Sequence, residues 1–124
     1  MFRNVTVLLA VIVALFAAVA GTATPAQAGT ISRAQAVGQA KDYLHTMAFS
    51  RKGLIGQLEY EGYSSSDSVY GVDHSGANWM VQAVKKAKSY LQTMHFSAKS
   101  LYGQLVYEGF TPAQAWHGVH AVGL

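Results

Sequence analysis

Five histidines, six carboxylates and no cysteine make up the reactive inventory of this chain of 124 residues. His117 and His120 stand at i and i+3, a spacing that lets two imidazoles of one helix face the same metal ion. A zinc site needs at least a third protein ligand, and none follows them in an evident motif. His45 and His95 stand singly. The pattern reads as ordinary surface histidine, so neither a metal site nor a cofactor is expected. Glu61 and Glu108 each sit in a Tyr-Glu-Gly triplet. Two carboxyls held roughly 5 to 9.5 Å apart hydrolyse glycosides, but these two belong to separate segments with no second acid recurring beside either. Each reads instead as a last-turn residue bonded to a backbone donor or a basic side chain. Ser64-Ser65-Ser66 lacks a histidine base and reads as a helix cap. With no recurring constellation, no catalytic residue is assigned and the chain reads as a non-enzyme.

The segments that carry these residues are written twice. A displacement of 47 residues lays "AKDYLHTMAFSRKGLIGQLEYEGY" from Ala40 over "AKSYLQTMHFSAKSLYGQLVYEGF" from Ala87. The match continues upstream, Gln35-Ala36-Val37 over Gln82-Ala83-Val84, and downstream, Gly71-Val72 over Gly118-Val119. A period of this length belongs to repeats of two or three helices.

Caps and spacing divide each copy. Ser32 with Gln35 forms a capping box that predicts the first helix, with Ala36, Ala40, Tyr43 and Met47 on its buried stripe. Ala83, Ala87, Tyr90 and Met94 repeat that stripe. Ser50 and Ser97 are N-caps of the next helix, each preceded by phenylalanine. Phe49 with Leu54, and Phe96 with Leu101, then occupy the positions of a hydrophobic staple. Gly62 and Gly109 are C-terminal stops. Tyr43, Tyr60, Tyr63, Tyr90, Tyr107 and Phe110 read mostly as core, with one or two tyrosines keeping a hydroxyl outside as contact residues. Ser64 with Asp67, and Thr111-Pro112-Ala113-Gln114, open a third helix that carries Val69 and Val72, or Ala115 and Val119, inward. Gly56 and Gly103 fall inside the middle helix, where glycine costs about 1 kcal/mol relative to alanine. Either a neighbouring helix approaches closely there, or duplication has left the residue in both copies. Trp79 lies at the junction and reads as packing between the copies. The fold class is all-α, two tandem three-helix repeats of helix-turn-helix type.

Ahead of the repeats, Met1-Phe2-Arg3-Asn4 precedes an apolar run from Val5 to Ala20, and Ala26-Gln27-Ala28 fits the small-x-small rule of signal-peptide cleavage. Residues 1–28 are expected to be a signal peptide, 29–77 the first repeat and 78–124 the second. An uncleaved anchor is the other reading, and the only membrane contact expected is through this segment. Without a cysteine there is no disulfide framework, no thiolate metal site and no cysteine-linked lipid. Removing the signal leaves eight basic and six acidic side chains. Lys85, Lys86 and Lys88 in "VKKAKSY" read as a solvated helix face and form no long basic stripe, so nucleic acid is not the expected partner.

"AKSYLQTMHFSAKSLYGQLVYEGFTPAQAWHGV" and its earlier copy resemble the repeat of the host-cell-surface-exposed lipoprotein (Ltp-like) family, whose usual form is "AKxYLxxMxFSxxGLIxQLxYEGF" before a short acidic-alanine helix. The resemblance runs from about Gln35 to Gly123. It implies a helix-turn-helix module engaged in superinfection exclusion, which stops the DNA of a second phage from reaching the cytoplasm. It also implies a protein partner in the incoming tail, the tape measure, and no catalysis. The chain departs from the family in lacking a lipobox cysteine and in a third helix poorer in acid. An exported protein-interaction module of the host surface, without a phage role, is the alternative. Arg51, Lys52, Glu61, Lys99 and Glu108 are the charged positions expected to be exposed and taken as candidate partner contacts.

Overall fold

The inward positions of each copy generate three short helices around one small core. In the computed structural model the described residues are 25–124, and the signal segment expected over residues 1–28 lies almost wholly outside them. Six α-helices are described: α1 Pro25–Thr46, α2 Arg51–Tyr60, α3 Ser65–Asp73, α4 Trp79–Thr93, α5 Ala98–Tyr107 and α6 Pro112–Ala121. Among the described residues there is no strand, and no helix is long and apolar enough to cross a membrane. Both repeats lie in the unit Arg33–Leu124.

Each core is built from matched residues. Ala36, Ala40, Leu54, Leu58 and Val72 close the first, and Ala83, Ala87, Leu101, Leu105, Phe110, Ala115 and Val119 the second. The four leucines are fully buried, each contributing about 1.5–3 kcal/mol by leaving water. The alanines of α1 and α4 are small because the third helix crosses them at close range. A Cβ added at Gly71 would lie 2.7 Å from the backbone of Ala36, and one at Gly118 would lie 2.8 Å from the carbonyl oxygen of Ala83. These are the true close approaches. A Cβ at Gly56 or Gly103 would meet nothing within 4 Å, which rules out a neighbouring helix as the reason for those two glycines.

Helix ends follow their capping residues. Ser50 and Ser64 accept from the amides of Gly53 and Asp67, and Thr111 with Gln114 closes a full capping box behind Pro112. Ser97 and Ser100 close another, which the sequence pattern had not indicated. α2 and α5 stop in identical fashion. Gly62 and Gly109 take φ of 103° and 104°, their amides donate to Glu59 and Val106, and those of Tyr63 and Phe110 donate to Leu58 and Leu105. That is the paired bonding of a Schellman stop, for which glycine is suited because it enters the left-handed region without a Cβ clash.

Four expectations are corrected. α1 starts at Pro25 rather than near Ser32, since proline suits the first turn and Ala26-Gln27-Ala28 are competent helix formers. Met47 and Met94 are 50% and 47% exposed rather than inward, because α1 ends at Thr46 and Met94 is already an extended cap residue. Val69 faces out, and Ser68, Gly71 and Val72 form the buried stripe of α3. Tyr60 and Tyr107 are the most open of the tyrosines expected inside, at 86% and 85% exposure.

Candidate functional site

The sentence repeated at Gly56–Gly62 and Gly103–Gly109 builds the same polar triad twice. Gln57 in α2 and Glu61 at its C-cap, one turn apart, flank buried Leu58 and reach the tyrosine of the preceding helix. Tyr43 donates its hydroxyl proton to Glu61 Oε1, and Gln57 Nε2 donates to the Tyr43 oxygen at 3.2 Å. In the second repeat Tyr90 donates to Glu108 Oε1 and Gln104 Nε2 donates to Tyr90 at 3.0 Å. The partner of each recurring carboxylate is thus a tyrosine, not the backbone or basic group expected. Bonding to the Glu61 carboxylate, reinforced by burial, raises the Tyr43 pKa. Burial first and Glu108 second raise that of Tyr90. Both hydroxyls keep their protons and tie the first helix of the repeat to the second. Phe49 and Phe96 close the triads edge-on, with centroids 5.6 Å from the tyrosine rings.

Two of the five charged candidates, Lys52 and Glu108, meet at the seam between the repeats. Ser50 donates its hydroxyl proton to the carbonyl oxygen of Glu108 at 2.6 Å, which seats the start of α2 on the Schellman turn after α5. Lys52 lies against that turn, since a Cβ at Gly109 would come within 3.0 Å of the lysine Cβ. Arg51 points instead to Asp73, with Nε and Nη2 donating at 2.8 and 2.9 Å. This pair lowers the aspartate pKa. Glu61 stays in its own repeat with Tyr43, and Lys99 is exposed on α5. Glu108 is half-buried. Trp79 opens α4 yet packs on the core of the first repeat, and Gln82 accepts the amide of Phe49 at 3.1 Å. The inter-repeat packing expected of Trp79 is therefore present.

Sequence reasoning expected one or two outward tyrosines without saying which, and it missed the other outward aromatic groups. Tyr60 and Tyr107 follow the buried Leu58 and Leu105 by two residues, about 200° around the helix, so their outward aim was readable. On the second repeat Tyr102, Trp116 and His120 form a ladder, with Tyr102 and Trp116 stacked at 4.2 Å and Trp116 and His120 at 5.5 Å. Trp116 follows buried Ala115 by one residue. Among the described residues no three His, Asp or Glu side chains gather as a metal site. What these surfaces offer is contact chemistry: aromatic faces, lysine ammonium groups and fixed turns.

A family model described as host cell surface-exposed lipoprotein matches residues 32–74 and again 78–122. A solved structure, of Ltp, a superinfection exclusion protein from the Streptococcus thermophilus temperate phage TP-J34, is 35% identical with a TM-score of 0.68. The match covers 75% of this chain and 95% of that one. No curated protein matches.

Proposed function

The chain belongs to the host cell surface-exposed lipoprotein family, and from that membership we propose that it is an exported binding protein that blocks the DNA of an infecting phage from reaching the cytoplasm. The observation that carries this reading is the 35% identical likeness to a superinfection exclusion protein across both repeats. The mode of action we propose is capture of a phage tail protein, the tape measure. Supporting a binding role over a catalytic one, the two recurring carboxylates are engaged by tyrosine hydroxyls, while Tyr60, Tyr107 and Trp116 present aromatic surface, a residue class suited to protein contacts.

Export rests on the pattern of residues 1–28, with cleavage after Ala28 leaving repeats over 29–77 and 78–124. Because the sequence contains no cysteine, we propose that the mature protein is released or held by envelope partners, the uncleaved apolar segment being the other route to retention. Arg51, Lys52, Glu61, Lys99 and Glu108 remain the proposed charged contacts, with Arg51, Glu61 and Glu108 first serving Asp73, Tyr43 and Tyr90. The test is expression in a susceptible host, with plating efficiency, adsorption and DNA injection measured separately. Normal adsorption with reduced injection and plating is the expected result. Unchanged plating across a broad phage panel would return the protein to the alternative, a host-surface interaction module.

A further inference from the structure

Charge is divided unevenly between the two repeats. The first, from Arg33, sets Arg33, Lys41, Arg51 and Lys52 against Asp42, Glu59, Glu61, Asp67 and Asp73. The second sets Lys85, Lys86, Lys88 and Lys99 against Glu108 alone, and Tyr90 holds that carboxylate. Three of these lysines converge on one feature. A cleft of 660 Å³ opens between the corner joining α1 to α2 and the outer face of α4, and no carboxylate is among its lining residues. Lys85, Lys88 and Gln92 follow one another along α4 at helical spacing and make one wall. Lys86 enters it as well, half-buried, with its Nζ 5.6 Å above the Tyr90 ring. Among the described residues none of the three lysines takes part in an ion pair.

The opposite wall is mixed: Leu44, Met47, Ala48 and Phe49 supply an apolar strip beside His45, Thr46 and Gln57, and Met47 leaves half of its surface open to water. Methionine is flexible and polarisable, and it adapts to side chains of varied shape. A lysine wall facing an apolar strip within a carboxylate-free cleft describes a ligand with carboxylates on one side and hydrocarbon on the other. A single-stranded nucleic acid fits less well, because base stacking needs open aromatic faces. Phe49 is half-buried edge-on against Tyr43, and the open aromatic residues Tyr60, Tyr107 and Trp116 lie outside the cleft lining.

We propose that this inter-repeat cleft receives an acidic amphipathic segment of a partner protein, with its carboxylates on Lys85, Lys86 and Lys88 and its apolar side chains on Leu44, Met47 and Phe49. The inference rests on the reading of the chain as a protein-binding module and adds the chemistry of what is bound. Helix-in-groove recognition uses this division of labour: apolar anchors at helical spacing give affinity, and flanking charges give orientation and rate.

The probe is a fluorescein-labelled helical peptide of glutamate and leucine at helical spacing, titrated against the mature protein by anisotropy. A matching peptide with glutamine for glutamate and a single-stranded oligonucleotide serve as comparisons. Wild type is expected to bind the acidic peptide, more weakly as salt rises, and to ignore the glutamine peptide. Lys85→Gln/Lys86→Gln/Lys88→Gln is expected to weaken binding about tenfold or more, the loss of several complementary charges at one interface. Met47→Asp, at an exposed site, is expected to abolish binding by placing a carboxylate beside the lysines, and it stands in should the triple variant fail to fold. No binding by wild type, unchanged binding by either folded variant, or oligonucleotide binding as tight as the peptide's would overturn the proposal. Such a result would leave phage exclusion by the wild-type protein intact, whereas failure of the exclusion reading appears as unchanged plating whatever the peptide does.

Discussion

Single residues differ between the repeats in ways that amount to substitutions already made. Ser68 occupies in α3 the place that Ala115 occupies in α6, and both are fully buried. Among the described residues Ser68 Oγ has no hydrogen-bond partner, and an unmet buried hydroxyl costs about 1–3 kcal/mol. Ser68→Ala is therefore expected to raise the urea midpoint, and Ala115→Ser to lower it by a similar amount; a Ser68→Ala variant weaker than wild type would count against the assignment. The tyrosines make a pH prediction. In the folded state the pKa values of Tyr43, Tyr63 and Tyr90 are raised, so the unfolded chain loses those protons first as pH increases. Their stabilisation is complete below about pH 10, the ordinary tyrosine value, and is lost as pH climbs through the folded values. Tyr43→Phe/Tyr90→Phe should lower stability at neutral pH by about 1 kcal/mol per lost bond and flatten the alkaline part of the melting curve. Asp73 acts with the opposite sign. Its depressed pKa gives stability that is present above about pH 4 and lost in acid, but the pair is exposed and small in effect.

At the scale of the helix, glycine separates legible from illegible sequence. The stops at Gly62 and Gly109, the staples of Phe49 and Phe96 and the caps at Ser50, Ser97 and Thr111 could all be read, because local chemistry alone determines them. The meaning of the helical glycines could not, because it depends on which helix lies opposite. Gly56 and Gly103 attract attention by recurring, yet they face open space, and Gly71 and Gly118 carry the crossing. The α3 stripe was misread for a related reason: Val69 outranks Ser68 in hydrophobicity, but the helix register set by Val72 turns the serine inward. Of the site, the Tyr-Gln-Glu triads were hidden because they join residues of two helices, while each motif was visible only within one. Gly56→Ala and Gly103→Ala should each stabilise by about 0.5–1 kcal/mol, removing backbone freedom at no steric cost. Gly71→Ala and Gly118→Ala should destabilise by about 1–3 kcal/mol, the range for overpacking a close contact. Thermal melts of the four variants check both signs, and a mild Gly71→Ala would mean that the crossing relaxes freely.

Across the whole repeat pair, one position decides why the joint is made once and in one direction. Ser50 accepts the amide of Gly53 at 2.9 Å and still has its proton for Glu108 of the other repeat. Its counterpart Ser97 gives that proton to Ser100, at 2.9 Å, in a closed capping box. Residue 53 is glycine and residue 100 is serine, so the first repeat offers a free cap while the second has sealed its own. The seam is head-to-tail, since Gly109 lies against Ser50 while nothing approaches Gly62. A head-to-tail contact propagates unless an end is blocked, and Ser100 supplies the block. Gly53→Ser should then transfer the sealed cap to the first repeat. A Cβ there would stand 2.9 Å from Ser50 Oγ and 3.4 Å from the Glu108 oxygen, drawing the hydroxyl away from the seam. Helix propensity favours serine over glycine by a few tenths of a kcal/mol, so a purely local effect would raise the melting temperature. Loss of the joint predicts the reverse: a lower melting temperature, a broader transition and faster amide exchange at Phe49, whose bond to Gln82 crosses the same seam. A sharper and higher melt would mean that Trp79 and the Gln82–Phe49 bond hold the repeats together without the Ser50 joint.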